Sequence, residues 1–133
     1  MVGGWELRGN LRYRGYLYFE MGLRPALTNL LFLCSRNRLR SPTAERVFAD
    51  CPGVETASAG LAPDADEPLT PEHLDWADLI FVMEPVHRRR LQTRFRRHLK
   101  TARVICLNIP DDYTFMQPEL VALLKARVGV HLR

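Results

Sequence analysis

Apolar runs alternate with amphipathic segments along the chain from residue 29 onward. Four segments predict β-strands, and most of their residues are apolar rather than alternating with polar ones. Such a pattern is typical of strands that are buried on both faces. The predicted strands are residues 29–33 (NLLFL), 54–58 (VETAS), 79–83 (LIFVM) and 104–107 (VICL).

The segments between these strands carry the signals of helices. In residues 41–50 (SPTAERVFAD), Ser41 stands at the cap, Pro42 in the first turn and Glu45 as the capping-box partner. A helix is therefore expected to begin at Ser41. The other predicted helices are a short one after Thr70, one from Pro85 to about Leu99, and a last one from Pro118 with Leu120, Leu123, Leu124 and Val128 as its apolar stripe.

This alternation of strands and helices predicts an α/β fold with a small four-stranded parallel sheet and helices on both faces. Right-handed crossovers make such a sheet doubly wound. Ligands of doubly wound sheets bind at the carboxyl ends of the strands, so the loops that follow the strands are the places to look for chemistry.

The first residues differ from the rest of the chain. Residues 1–28 contain scattered glycines and arginines, and Arg12, Arg14 and Glu20 interrupt every apolar stretch that a signal peptide would need. We expect residues 1–28 to be an N-terminal extension that is either poorly ordered or wrongly assigned to the protein. Translation that starts at Met21 would remove most of it. Residues 29–133 are expected to form the folded domain.

Composition narrows the class of protein. The chain has 133 residues, of which 47% are hydrophobic and 26% charged, which suits one globular domain rather than a disordered chain. No apolar run approaches the roughly 18 residues of a membrane span. The cysteines Cys34, Cys51 and Cys106 are too widely spaced for a disulfide scaffold or a zinc finger. We expect free thiols in a reducing cytoplasm, Cys51 and Cys106 in the core, no metal, no cofactor and no membrane partner.

The net charge of +4 conceals two opposite blocks. Residues 64–84 carry acidic side chains without Lys or Arg, and residues 88–103 carry basic side chains without acids. Because such blocks can face each other in the fold, nucleic acid is not the expected partner. A substrate that carries phosphate is compatible with this balance.

The loop after the first predicted strand has the residues for phosphate chemistry. It reads Cys34-Ser35-Arg36-Asn37-Arg38-Leu39-Arg40-Ser41-Pro42 and leads into a helix N-terminus. Unpaired backbone N–H groups at such a junction bind phosphate and favour a thiolate over a thiol. Arg40 can hold two phosphoryl oxygens with its planar guanidinium, and Ser41 can donate a hydrogen bond to the sulfur. Cys34 would then attack phosphorus and form a phosphocysteine intermediate.

The run LFLCSRNRLRSPTAERVF resembles the active-site loop of the low-molecular-weight protein tyrosine phosphatases, whose pattern is C-x-G-N-x-C-R-S-P. Arg36 stands at the family's glycine and Leu39 at its second cysteine. The resemblance implies hydrolysis of phosphomonoesters without a metal, and the chain looks most like a short bacterial subgroup of these tyrosine phosphatases. The matching parts are Cys34, Asn37, Arg40, Ser41 and Pro42, then SAG at 58–60, ADLIFVM with His87 and Arg88 at 77–88, and IPDDY at 109–113.

A leaving phenolate or alkoxide needs a proton, and Asp111 and Asp112 follow the fourth strand at the expected edge of the sheet. Two adjacent carboxylates can raise each other's proton affinity, although both can also cap the following turn. The resemblance assigns the acid to Asp111, with Asp112 in the place of a proline and Tyr113 at the rim. It further implies that Asn37 and Ser58 support the loop, whereas His87 is expected to begin a helix face.

The resemblance thus implies a full set of site residues and partners. Phosphorylated protein or a small aryl phosphate is the expected substrate, and inorganic phosphate is the product. The implied catalytic residues are Cys34, Arg40 and Asp111, and the implied substrate- or phosphate-binding residues are Ser35, Arg36, Asn37, Arg38, Leu39, Ser41, Asp112 and Tyr113.

Other functions remain open at this point. Arg36 and the missing proline after Asp111 would suit a module that binds phosphate or a phosphopeptide without turnover. The arginine-rich segment after His87 would suit a nucleic-acid-binding domain, although a solvated helix face is the commoner reason for such a run. A thiol-coupled arsenate reductase uses the same loop but needs closely spaced cysteines, which Cys51 and Cys106 do not provide.

Overall fold

The predicted strands form one parallel sheet. A computed structural model describes residues 27–99 and 102–132. Its strands are β1 (Thr28–Cys34), β2 (Val54–Gly60), β3 (Leu79–Val82) and β4 (Arg103–Cys106). Their order in the sheet is β2-β1-β3-β4, and every neighbouring pair is parallel. The predicted four-stranded α/β sheet is therefore confirmed, and each strand begins and ends within two residues of its predicted bounds.

Helices cover both faces of this sheet, as predicted. Leu30 and Phe32 of β1 belong to an apolar cluster with the helices that begin at Arg40 and Pro118. Leu31 and Leu33 belong to a second cluster with the helices that begin at Pro71 and Pro85. All four side chains are fully buried, which explains why β1 has no polar alternation. The helices are α1 (Arg40–Phe48), α2 (Pro71–Trp76), α3 (Pro85–Arg94) and α4 (Pro118–Gly129).

The helix predicted from Pro85 to about Leu99 is shorter than expected. It ends at Arg94, because Phe95 leaves the helical region with φ −126° and ψ 25°, and a 3₁₀ turn follows at Arg96–His98. Phe95 and Leu99 nevertheless pack against the apolar cluster of their face, as their spacing indicated.

The predicted capping box at the start of α1 is wrong. The helix begins at Arg40, one residue before the predicted cap, and Leu39 precedes it without a side-chain cap. Ser41 therefore lies inside the first turn and donates its hydroxyl to the Asn37 side chain at 2.9 Å. Glu45 instead accepts a hydrogen bond from the Ser58 hydroxyl of β2. Sequence spacing alone does not show that the preceding loop curls back towards these side chains.

The predicted N-terminal extension lies almost wholly outside the described residues. Residues 1–26 are not among them, and Thr28, which was assigned to the extension, opens β1 opposite Val54. In the part of the chain that the structure describes, no helix has both the length and the apolar character needed to cross a membrane.

The order of the strands determines where the loops converge. After β1 the chain crosses to β2 on one side, and it then returns to β3 on the other side of β1. The carboxyl end of β1 is therefore the point at which the direction of the crossovers reverses, which is the usual ligand site of such sheets. Cys34 is the last residue of β1.

Candidate active site

Cys34 lies at the base of a loop formed by residues 34–40, which connects β1 to α1. Its side chain is only 4% exposed. The sulfur accepts a hydrogen bond from the Asn37 backbone N–H at 3.3 Å and lies 3.1 Å from the Ser41 hydroxyl oxygen. The loop thus folds around the sulfur, as the sequence predicts for a nucleophile at a helix N-terminus.

The back of the 34–40 loop is held by the segment that follows β2. The carbonyl oxygens of residues 34–36 accept hydrogen bonds from the backbone N–H groups of Leu61, Ala62 and Asp66 at 2.9, 2.8 and 3.1 Å. Within a trans peptide the carbonyl and the next N–H point in opposite directions. The N–H groups of residues 35–37 therefore face away from the supporting segment, and successive inward N–H groups form an anion-binding concavity.

Gly60 allows this close approach of two backbones. A Cβ atom at this position would lie 2.4 Å from the Ala65 Cβ and 2.7 Å from the Ser35 carbonyl oxygen. Both distances are shorter than carbon atoms tolerate, so the absence of a side chain at Gly60 is a condition for the loop geometry. This close approach explains why the SAG motif at residues 58–60 ends in glycine.

The left-handed position of the loop is Asn37, with φ 57°, and not Arg36. Asparagine adopts this conformation more readily than most residues do. Arg36 in place of the family's glycine therefore introduces no left-handed strain.

The Arg36 and Arg38 side chains do not point into the concavity as phosphate ligands. Arg36 pairs with Asp64 at 2.9 Å and Arg38 pairs with Asp66 at 3.1 Å, and all of these side chains are more than half exposed. Acids of the segment after β2 thus lie beside both side chains. The expectation that Arg36 and Arg38 take part in binding phosphate stays a prediction, and for Arg36 the inward backbone N–H is the group that could do so.

Arg40 is buried and links three parts of the site. Only 4% of it is exposed, and its Nη1 donates to the Glu84 Oε1 at 2.9 Å and to the Ile109 carbonyl at 2.7 Å. Its Nε lies 3.6 Å from the Asp111 Oδ1. A buried guanidinium is costly unless it is paired, and these contacts supply the pairing. The structure thus places Arg40 beside Asp111, at the end of the loop that begins at Cys34.

The hydroxyl of Ser41 has one hydrogen and two neighbours. It donates to the Asn37 Oδ1 at 2.9 Å, so a hydrogen bond across its 3.1 Å contact with the Cys34 sulfur would need a thiol as the donor. When the thiol loses its proton, the same hydroxyl can turn to donate to the sulfur. Ser41 can therefore stabilise a thiolate by a rotation of one bond.

The segment after β4 presents the two candidate acids at the rim. The side chain of Asp111 is 65% exposed beside Arg40, and Asp112 is exposed as well. Tyr113 is half-buried and packs against the core cluster of α1 and α4. A hydrogen bond from the Met116 N–H to the Thr43 hydroxyl at 2.9 Å fixes this segment to α1.

Three other predicted positions lie in or near the loop. The Ser58 hydroxyl donates to Glu45 of α1, and the Asn37 side chain accepts from the Ser41 hydroxyl. That Asn37 and Ser58 support the loop stays a prediction. Leu39, the counterpart of the family's second cysteine, is 37% exposed at the end of the loop.

Sequence reasoning missed His87 as part of the site. It is fully buried, its Nδ1 accepts the Glu84 backbone N–H at 3.1 Å, and its Nε2 lies 3.1 Å from the Ser35 hydroxyl. Burial, followed by the Arg40 charge, lowers the pKa of His87 to about 4, against the opposing effect of Glu84. The imidazole is therefore neutral near pH 7, and it donates its Nε2 proton to Ser35. The sequence does carry one indication of this, because His87 follows β3 closely and the ends of β3 and β1 lie at the same edge of the sheet.

Within residues 27–99 and 102–132, no group of three or more His, Cys, Asp or Glu side chains is arranged to hold a metal ion. The groups at the site include the Cys34 thiol, backbone N–H groups of the 34–40 loop, the Arg40 guanidinium and the Asp111 carboxylate. This set can bind a tetrahedral oxyanion and offers it a nucleophile and a proton donor.

Comparison with known proteins relates this arrangement to solved structures. No protein-family model matches the chain, and no curated protein matches its sequence. The arginine phosphatase YwlE from Geobacillus stearothermophilus is 23% identical with a TM-score of 0.64, over 79% of this chain and 92% of that one. Vibrio vulnificus Wzb in complex with benzylphosphonate is 23% identical with a TM-score of 0.66, over 80% and 98%. The tyrosine phosphatase Wzb from Escherichia coli K30 in complex with phosphate is 21% identical with a TM-score of 0.64, over 80% and 96%. These likenesses show that the fold is shared.

The close approach at Gly60 gives a testable prediction. Gly60→Ala should displace the 34–40 loop and lower the free energy of unfolding by about 1–3 kcal/mol, the usual cost of overpacking. Binding of inorganic phosphate, measured by calorimetry, should weaken at least about tenfold because the inward N–H groups lose their alignment.

Gly129→Ala is the matched control, because a Cβ at Gly129 meets no atom within 4 Å. It should leave phosphate binding unchanged. Equal phosphate affinity in both variants would show that the supporting segment does not determine the loop geometry.

Proposed function

We propose that this chain, which has the fold of the low-molecular-weight protein tyrosine phosphatases, is a cysteine-dependent phosphomonoester hydrolase. The observation that carries the proposal is the convergence of Cys34, the inward N–H groups of residues 35–37 and Arg40 at the carboxyl end of β1. Phosphotyrosine in a protein, or a small aryl phosphate, is the proposed substrate.

In the first step the Cys34 thiolate attacks phosphorus. An S–P bond forms as the P–O bond to the phenol breaks, and the electron pair of that bond goes to the leaving oxygen. Asp111, in its protonated form, gives this oxygen a proton, so a neutral phenol departs. Arg40 and the N–H groups of the loop stabilise the negative charge of the transferred phosphoryl group.

In the second step a water molecule attacks the phosphocysteine. Asp111 is now a carboxylate and accepts a proton from the water, while an O–P bond forms and the S–P bond breaks. The products are inorganic phosphate and the Cys34 thiolate. The Ser41 hydroxyl, 3.1 Å from the sulfur, would donate to the departing thiolate after it turns from Asn37.

The proposed substrate class rests on the residues at the rim of the site and on the names of the similar solved structures. Tyr113, half-buried beside the acid, offers an aromatic surface for an aryl group. One neighbouring structure is named a tyrosine phosphatase and another an arginine phosphatase, so the assay should include phosphotyrosine and phosphoarginine. A reducing cytoplasm, which would keep Cys34 as a thiol, is the proposed location.

A binding module without turnover is the alternative that the sequence leaves open. One of its two supports is weakened, because Arg36 is accommodated without left-handed strain. The other support, Asp112 in the place of a proline, remains.

The nucleophile is tested by Cys34→Ser. This variant should lose turnover of p-nitrophenyl phosphate by at least about 10³-fold, because a serine hydroxyl is a far weaker nucleophile than a thiolate. It should still bind inorganic phosphate, since the loop N–H groups and Arg40 are unchanged. Cys106→Ser, outside the 34–40 loop, is the control and should keep wild-type turnover.

Near wild-type turnover by Cys34→Ser would contradict the cysteine mechanism. A wild-type protein that binds phosphate but shows no turnover would favour the binding module.

The proton donor is tested by Asp111→Asn beside Asp112→Asn. Asp111→Asn should slow phosphotyrosine hydrolysis by about 10²–10⁴-fold, the usual contribution of general acid catalysis. A substrate whose phenol leaves easily should suffer less, because it needs less protonation. Asp112→Asn should have the smaller effect on both, and the reverse ranking would move the acid to Asp112.

A further inference from the structure

Thr43 lies in the first turn of α1, and its side chain is fully buried. Its hydroxyl donates to the Leu39 carbonyl, four residues earlier, at 2.6 Å. The same oxygen accepts the backbone N–H of Met116, 73 positions away, at 2.9 Å. A threonine hydroxyl has one hydrogen to donate and lone pairs that accept, so this side chain fills both roles at once. It therefore joins the 34–40 loop to the segment that follows β4.

The acid-bearing segment, residues 109–117, is held near both of its ends by the first turn of α1. Near its start, the Ile109 carbonyl accepts a hydrogen bond from Arg40 at 2.7 Å. Near its end, the Met116 N–H donates to Thr43. Asp111 lies between these two points with 65% of its side chain exposed. The place of its carboxylate above the 34–40 loop therefore depends on both attachments.

Met116 also has an unusual backbone. Its φ is 59°, a left-handed value that a non-glycine residue keeps only where its surroundings hold it. Thr43→Val would keep the shape of the side chain and remove the oxygen that accepts the Met116 N–H. The first turn of α1 would keep its own bond, because the Thr43 backbone N–H donates to the Leu39 carbonyl at 3.1 Å. The substitution thus acts on the attachment of the acid-bearing segment more than on the helix.

We propose that Thr43 is a positioning residue that holds the acid-bearing segment where Asp111 can reach the leaving oxygen of a substrate bound in the 34–40 loop. The role of Asp111 as the acid rests on the proposed function. The holding of the segment does not, because it needs only the two hydrogen bonds of one buried hydroxyl.

A positioning role and a merely structural one affect different substrates. A displaced acid slows the substrates whose leaving group needs a proton, and it slows those with an easily leaving phenol much less. A loss of folded protein lowers the turnover of every substrate by the same factor. The dependence on the leaving group therefore separates the two roles.

The test compares Thr43→Val with Thr43→Ser, which keeps the hydroxyl. Thr56→Val is the matched control, because the half-buried Thr56 of β2 also donates its hydroxyl to a carbonyl of α1, that of Glu45, at 3.1 Å. The measurements are kcat/KM for phosphotyrosine and for p-nitrophenyl phosphate, and hydrogen exchange at the amides of residues 111–115.

Thr43→Val should lower kcat/KM for phosphotyrosine by about tenfold or more, because a small misplacement of a reacting group is costly. For p-nitrophenyl phosphate the loss should stay within about threefold. The amides of residues 111–115 should exchange at least about fivefold faster, since their segment opens more easily. Thr43→Ser and Thr56→Val should match wild type in all three measurements.

A double variant tests whether Thr43 acts through the acid. In the Asp111→Asn background, Thr43→Val should cause no further loss with phosphotyrosine, because the group that it positions is already gone. A further loss as large as that of the single variant would overturn the positioning role. Equal losses with the two substrates would overturn it as well.

Hydrogen exchange needs no turnover, so it distinguishes this proposal from the proposed function. If the wild-type protein hydrolysed neither substrate, the proposed function would fail. Faster exchange at residues 111–115 in Thr43→Val alone would then still support the holding of the segment. Exchange equal to that of wild type would overturn it, whatever the activity.

Discussion

The hydrogen bonds between the 34–40 loop and the segment after β2 are the constraint on which the site depends. They turn the carbonyls of residues 34–36 towards Leu61, Ala62 and Asp66, and the N–H groups of residues 35–37 therefore face the other way. This arrangement requires two backbones to approach so closely that only glycine fits at position 60. A concavity suited to an anion thus follows from backbone packing, before any basic side chain contributes to it.

Arg40 adds a buried positive charge to this concavity and links three loops. Arg40 lies in the first turn of α1. Its guanidinium donates to the carboxylate of Glu84, which follows β3, and to the carbonyl of Ile109, which follows β4. The parallel sheet makes this possible, because the carboxyl ends of β1, β3 and β4 lie at one edge. Asp111 lies beside the same guanidinium, so the position of the proposed acid depends on the arginine that is proposed to bind the anion.

Much of this was predictable from the sequence, since local patterns determine the strands, the helices after Thr70 and Pro118, and the loop with Cys34 and Arg40. What was missed depends on distant residues. The pairing of Arg36 with Asp64 and of Arg38 with Asp66 joins residues 28 positions apart, and the Ser35–His87 contact joins residues 52 positions apart. The false capping box at Ser41 has the same origin, because a loop that curls back redirects a hydroxyl that local spacing assigns to the helix.

The central claim is that the sulfur of Cys34 becomes covalently attached to phosphorus during turnover. The most direct measurement is mass spectrometry of the protein quenched in acid within the first turnovers of p-nitrophenyl phosphate. The account predicts one phosphoryl group on the peptide that contains Cys34, attached through sulfur. Turnover with the phosphoryl group on another residue, or with no phosphorylated protein at any time, would contradict it.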